Sequence, residues 1–454
     1  MNEQGFNESL MTDLYQLTMA AGYLKEGLNQ RATFELFTSR LPTDRGYLIV
    51  AGVEQALDYL KELHFEKEDI DYLRSLKPFQ SVGEEFFDYL YGFHFTGDVW
   101  AMPEGTLVFP DEPIMRIEAP LIEAQIVETY LLSVINFQTM IATKASRVCS
   151  AARQDGKERA VLEFGTRRAH GPVAGTLAAR ASYLGGCTGT SNLAAGKRFS
   201  IPVYGTAAHA WILAHDSEIE AFKNYFALYP ETCTLLIDTY DTFAGAVNAT
   251  KIGRDVLGVR IDSGDLAESS RKVRKILDDA EMTDTKIILS GDLNEYSISE
   301  MISSGVPVDS FGVGTDLSTS RDAPSLGVVY KLVERVDRNG KKHYSAKFST
   351  NKITLPGAKQ VFRHISNDGI YRNDTIGLAE EACPEDAVRL LIEVMKDGKV
   401  LLKSNIEDAR ARASSELSKL DARYKLLKSP DKYRVGISDE LAKLLESVKE
   451  SMHR

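Results

Sequence analysis

The sequence predicts an α/β fold: an irregular parallel α/β barrel of TIM-like kind, accompanied by an α+β domain built from the N-terminal and C-terminal segments. Three observations predict it. Between about residues 158 and 334, short apolar runs alternate with helical patterns. Each run ends in Gly, Thr, Ser, Asp or His, residue types suited to turning a strand into a helix. The flanking segments lack this rhythm and mix helical with hairpin-like patterns.

Taken in order, residues 1–155 form a first zone. Helical periodicity covers 53–63, extended patterns cover 98–108 and 113–117, and a turn falls at 111–113. A long helix begins at Leu121, with apolar residues at Ile122, Ile126, Tyr130, Leu131, Val134 and Ile135. The second zone, 156–335, holds runs at 160–165, 185–190 (the weakest), 202–206, 234–239, 257–263, 286–291, 310–315 and 327–333. Near-continuous apolar strands alternating with helices indicate a parallel sheet covered by helices. About eight such units favour a barrel over an open doubly wound sheet, which stays the alternative. The third zone, 336–454, opens with an Arg338-Asn339-Gly340 hairpin turn. Extended patterns follow at 352–353 and 361–362, then a charged helical stretch over 406–427. This zone is expected to pack with the first.

Composition narrows the function classes. The chain has 454 residues, 43% hydrophobic and 26% charged, with a net charge of −11. That acidity argues against a general nucleic-acid or anionic-membrane surface, although a few arginines can still build a local anion site. No basic segment followed by an apolar one starts the chain, and no apolar run approaches the roughly 20 residues that span a bilayer. A cytoplasmic enzyme is expected. Cys149, Cys187, Cys233 and Cys383 are scattered and read as reduced, buried thiols.

In a parallel barrel the chemistry sits where strands hand over to helices. Here those positions carry Glu163 with Arg167 and Arg168, Thr206 with His209, Asp238 with Asp241, and Arg260 with Asp262, Ser263 and Asp265. Ser290-Gly291-Asp292 and Gly312-Val313-Gly314-Thr315-Asp316 complete the set. The small residues of the last two clusters admit a phosphate to backbone N–H groups, or serve simply as turn and cap residues. Arg260 and Asp262 share one strand face; that arginine needs a carboxylate or an anionic ligand. Asp265 reads as a helix N-cap. His209 is a nucleophile or acid–base candidate, while His215 and Trp211 read as packing residues. Arg167 and Arg168 suit phosphate or carboxylate, and Lys144 and Arg147 could serve the same anion or lie on a solvated face.

These residues resemble those of nicotinate phosphoribosyltransferases over nearly the whole chain. The resemblance rests on Thr12-Asp13-Leu14-Tyr15-Gln16-Leu17-Thr18-Met19, Glu163-Phe164-Gly165-Thr166-Arg167-Arg168, Gly189-Thr190-Ser191-Asn192 and Gly205-Thr206-Ala207-Ala208-His209. Val259-Arg260-Ile261-Asp262-Ser263-Gly264-Asp265 and Phe311-Gly312-Val313-Gly314-Thr315 follow in the same order. It implies that nicotinate joins 5-phosphoribosyl 1-diphosphate to give nicotinate mononucleotide and diphosphate, with ATP hydrolysis and magnesium, as a step of NAD salvage. It implies that ATP phosphorylates His209, that Asp262 serves the sugar side, and that Arg260 and Thr206 bind nicotinate. Tyr15 and Phe164 would sandwich the pyridine ring, with Tyr15 contributed across a homodimer interface. Gly291, Gly314 and Thr315, with Arg147 and Arg167, would hold phosphoribosyl diphosphate.

Ser191 bears on substrate choice. Similar nicotinamide-using enzymes carry Asp there; Asp would repel a carboxylate, whereas Ser donates to one, or else caps a helix. A nicotinamide-using enzyme is therefore the runner-up. The shorter quinolinate phosphoribosyltransferases have no use for His209. A sugar-phosphate aldolase or isomerase would share the phosphate turns but needs a Lys or Glu base, and no strand-end Lys stands out. A non-catalytic ligand-binding relative would not need His209, Arg260 and Asp262 together.

Overall fold

The computed structural model describes residues 8–349, 352–402 and 405–452. It divides into two compact units, one made of 1–139 with 325–454, the other of 140–324.

The first unit draws on both ends of the chain. Its larger sheet is antiparallel throughout, in the order Lys342–Tyr344, Val328–Val336, Arg31–Thr38, Pro113–Pro120, Asp98–Ala101, Ile392–Lys396, Lys399–Val400. A second sheet joins Ala387–Arg389, Lys359–Ile365, Tyr371–Leu378 and Val435–Ile437. Arg31–Thr38 is buried at every position after Arg31, including Glu35. A buried carboxylate needs a partner; Lys359 supplies one, its Nζ 2.7 Å from Glu35. Likewise Arg363 and Asp374, both without exposed side chain, face each other across a ladder and pair at 2.6 Å.

Local sequence sets the boundaries. The helix Val53–Glu62 fills the first predicted helical stretch. The helix from Leu121 breaks once, giving Leu121–Ile126 and Glu128–Ala152. The hairpin at 338–340 forms with Gly340 at φ +79°, and Asp337 accepts from the Asn339 and Lys341 amides. The helix expected over 406–427 runs only over Ile406–Lys419, capped by Asn405.

The second unit contains one sheet of six strands: β1 (Ala160–Glu163), β2 (Gly189–Thr190), β3 (Thr234–Leu236), β4 (Gly258–Ile261), β5 (Lys286–Ser290) and β6 (Ser310–Val313). Their spatial order is β2-β1-β6-β5-β4-β3, and every ladder is parallel. Helices such as Pro172–Leu184, Leu266–Asp279 and Glu295–Ser303 connect them.

Of the barrel expectation, the parallel sheet with its helices is borne out and closure is not. The sheet is not closed: among the described residues no ladder joins β3 to the far side. The 202–206 run makes only one isolated bridge, Thr190 with Val203; Pro202 lacks the donor a longer ladder needs. The 327–333 run leaves this sheet entirely and pairs antiparallel with Arg31–Thr38 in the other unit's sheet. An apolar run fixes neither its partner nor its direction.

Cys149, Cys187 and Cys233 are buried, but Cys383 is exposed, against expectation. Among the described residues no helix is long and apolar enough to cross a membrane.

Candidate active site

The strand ends of the second unit open onto one cavity of about 680 Å³. At the end of β1, Glu163 is fully buried, and its carboxylate accepts from the Gly165 amide and from Thr190 Oγ1. Burial pushes its carboxyl above the usual value, although both hydrogen bonds pull it down. This clasp sets the turn that sends Phe164, Arg167 and Arg168 to the cavity wall. Gly312 on β6 permits it: a Cβ there would lie 2.6 Å from the Phe164 ring.

Ser191 follows β2, and its amide donates to the Glu163 carbonyl at 3.0 Å. It lines the cavity, and the helix cap is its neighbour Asn192, which accepts from the Ala195 amide. The capping alternative for Ser191 is thus taken by another residue. Past the Val203 bridge, residues 205–210 form a wall in which Thr206 accepts from Arg260 and His209 opens the helix His209–Leu213. The His209 ring meets Thr239 through Nδ1 at 3.1 Å.

β4 presents Arg260 and Asp262. Burial lowers the Arg260 pKa, Asp262 and Asp238 oppose that, and Arg167 adds to it. Arg260 Nε is buried with no hydrogen-bond partner. A desolvated guanidinium with an unspent donor is poised for an anion. Asp262 accepts from Ser290, while Asp238 accepts from the Asp262 amide (2.9 Å) and from Ser263 Oγ (2.6 Å). Asp265 caps its helix through the Glu268 amide. Trp211 donates to the Ala221 carbonyl on the next helix, and the His215 ring meets the Trp211 carbonyl, as packing residues do.

After β5, Gly291 has φ +102°, and a Cβ there would fall 2.1 Å from the Asp262 carbonyl oxygen. Only glycine makes that turn. Asp292 follows with φ +44°, so the backbone doubles back against the cavity. Gly314 and Thr315 complete the wall beyond β6.

Among the residues singled out from sequence, Phe164, Arg167, Ser191, Thr206, His209, Arg260, Asp262, Gly291, Gly314 and Thr315 line one cavity, with Arg168, Ser290, Asp292 and Gly312 beside them. Arg147 does not. It is buried, with Nε 3.1 Å from Glu295 and a guanidinium nitrogen 3.1 Å from the Tyr296 hydroxyl. Lys144 is likewise committed to carboxylates, so neither lies on a solvated face. Tyr15 belongs to the first unit, on the helix Leu14–Glu26, with 48% of its surface exposed. Sequence reasoning passed over Thr239 and the bonding role of Asp238. Their shared place at the end of the 234–239 run was the available signal.

Comparison with known proteins bears on this arrangement. Residues 10–136 match the nicotinate phosphoribosyltransferase N-terminal domain, 160–358 the nicotinate phosphoribosyltransferase family proper, and 382–445 its C-terminal domain. The chain is 41% identical over 449 residues to nicotinate phosphoribosyltransferase pncB2 of Mycobacterium tuberculosis, covering 96% of this chain and 94% of the relative. It is 42% identical over 477 residues to the Bacillus subtilis nicotinate phosphoribosyltransferase, covering 97% and 95%. The chain belongs to the nicotinate phosphoribosyltransferase family. Among solved structures, human nicotinic acid phosphoribosyltransferase matches with a TM-score of 0.82 at 28% identity, covering 97% of this chain and all of that one. Nicotinate-nucleotide pyrophosphorylase from Pyrococcus furiosus matches at 0.74 and 26%, covering 92% and 97%.

Among the described residues no three His, Cys, Asp or Glu side chains gather to hold a metal ion. Asp262 and Asp292 are carboxylates on the cavity wall. One or two carboxylates with substrate phosphates and water are the ligands magnesium commonly takes.

Proposed function

We propose that this chain joins nicotinate to 5-phosphoribosyl 1-diphosphate, driven by ATP through a phosphohistidine at His209, and works as a homodimer with Tyr15 reaching a partner's site. The observation that carries the reading is the convergence on one cavity of an unspent guanidinium donor, small-residue turns and a histidine.

The chemistry assigns each residue a task. Displacing diphosphate from ribose C1 develops positive charge on the sugar, so acceptor and leaving group must be held in line. Arg260 Nε meets the nicotinate carboxylate, with Thr206 and Ser191 beside it, while Phe164 forms one face for the pyridine ring. Asp262, braced by Ser290 and Asp238, faces the ribose and its growing charge. Arg167 and the turns at Gly291 and Gly314–Thr315 take the phosphates. Asp262 and Asp292 fit a magnesium ion carried by the diphosphate, whose bound charge would ease departure of that group. In the coupling step His209 Nε2 bonds to the γ-phosphorus of ATP as the bond to the ADP oxygen breaks. Water later takes the phosphoryl group from His209, releasing phosphate. Arg147 does not line this cavity and is given no substrate role.

The test is an assay of the purified chain with phosphoribosyl diphosphate and either nicotinate or nicotinamide, with and without ATP. Nicotinate mononucleotide formed faster with ATP is expected. Product from nicotinamide alone would overturn the substrate reading, and indifference to ATP would overturn the coupling.

A further inference from the structure

Behind the cavity, in the same unit, lies a buried ion network that none of the chemistry above uses. Lys144, on the helix Glu128–Ala152, has no exposed side chain. Its Nζ lies 2.6 Å from Glu295, 2.8 Å from Asp322 and 3.7 Å from Asp316. Arg147, one turn along, shares Glu295 at 3.1 Å. Burying such charges carries a heavy desolvation cost, and hydrophobic replacements of similar volume often do as well for stability. A buried network of this kind therefore calls for another reason, and its geometry supplies one.

Glu295 is the first residue of the helix that follows β5, three positions beyond Asp292. Asp316 directly follows Thr315, at the start of the helix after β6. One ammonium group thus reaches both segments that carry the phosphate-side turns, and Asp322 fixes it from a third. We propose that Lys144 is a positioning residue: it ties the turn at Gly291–Asp292 to the turn at Gly314–Thr315 and holds their spacing for the diphosphate arm of the sugar substrate. This rests on the phosphate role given above to Gly291, Gly314 and Thr315. Without the ammonium, each turn is still folded by its own glycine and helix, but their separation is no longer set. Binding of a ligand that spans both turns weakens, while binding of nicotinate at Arg260 does not.

The experiment compares Lys144→Met, Asp322→Asn and a reference variant, Thr315→Val, in steady-state kinetics with each substrate varied in turn, alongside thermal unfolding. Lys144→Met is expected to raise the KM for phosphoribosyl diphosphate about tenfold and leave the KM for nicotinate within about twofold. Asp322→Asn, at a partly exposed carboxylate, shifts the same ratio less and keeps the test alive should Lys144→Met fail to fold. If Thr315→Val raises that KM but both other folded variants lower only the melting temperature, the brace is wrong and the phosphate reading stands. If Thr315→Val also leaves that KM untouched, the phosphate reading fails, and the brace with it. Equal rises in both KM values would likewise overturn the selective role.

Discussion

Thr190 donates its hydroxyl to the Glu163 carboxylate at 2.6 Å, and the two residues are register partners on adjacent parallel strands. Glu163 has no exposed surface, so this bond fixes the ends of β1 and β2, from which Phe164 and Ser191 depart. Thr190→Val keeps the shape and removes the donor, leaving a buried charge short of one partner. It is expected to cost roughly 1.5–3 kcal/mol in urea unfolding.

The same carboxyl gives a pH dependence. Its folded pKa lies above the ordinary carboxylate value because of burial. The folded state therefore holds its proton longer than the unfolded chain. Stability from this group is complete below the ordinary carboxylate pKa and declines as pH rises through the raised one. Glu163→Gln should flatten that decline in melting temperatures measured across the weakly acidic range.

Substrate choice is expected to turn on Ser191. Ser191→Asp places a carboxylate on the cavity wall, where the proposed reading sets the nicotinate carboxylate. The kcat/KM for nicotinate should fall by about tenfold or more relative to nicotinamide, a difference of ~1.4 kcal/mol. An unchanged ratio would remove Ser191 from the acceptor pocket.

His209→Ala is expected to bring the ratio of rates with and without ATP to about one. A stoichiometric acid-labile phosphate should form on the native chain with ATP and be missing from the variant. Stimulation that survives the substitution would exclude a phosphohistidine at this position.

In the first unit, Asp374 answers Arg363 and also accepts from the Tyr433 hydroxyl at 3.0 Å. Asp374→Ala takes the closest carboxylate from a buried guanidinium that keeps Glu416 at 2.8 Å, and should cost on the order of 3 kcal/mol, seen as a lowered denaturation midpoint.

How much of this was legible in the sequence follows from what each signal encodes. The runs ending at Glu163, Asp262 and Ser290 announced parallel strands because burial on both faces makes them apolar throughout. The run at Val328–Val336 carried the same signature yet belongs to an antiparallel sheet, since composition reports burial and not partnership. Val203 seemed to extend the parallel series, but Pro202 cannot donate and a single bridge resulted. Among candidate site residues, those at strand ends converged because the fold brings strand ends together. Arg147 did not: a cation on a helix does not reveal a carboxylate 148 residues away. The Thr239 contact with His209 is equally non-local, 30 residues apart.

The strand Val328–Val336 has a consequence during synthesis. When the first 139 residues leave the ribosome, Arg31–Thr38, Pro113–Pro120 and Asp98–Ala101 can pair with one another. Both outer edges of that trio then wait, one for Val328–Val336 and the other for Ile392–Lys396. Glu35 waits for Lys359, 324 residues later. At roughly 5–20 residues per second the delay is on the order of tens of seconds. Throughout it the nascent chain carries a half-built sheet with open hydrogen-bonding edges, the state most exposed to pairing with a neighbouring chain. The parallel unit, contiguous over 140–324, carries no such debt. The hazard in making this protein therefore sits at its beginning, and only its end removes it.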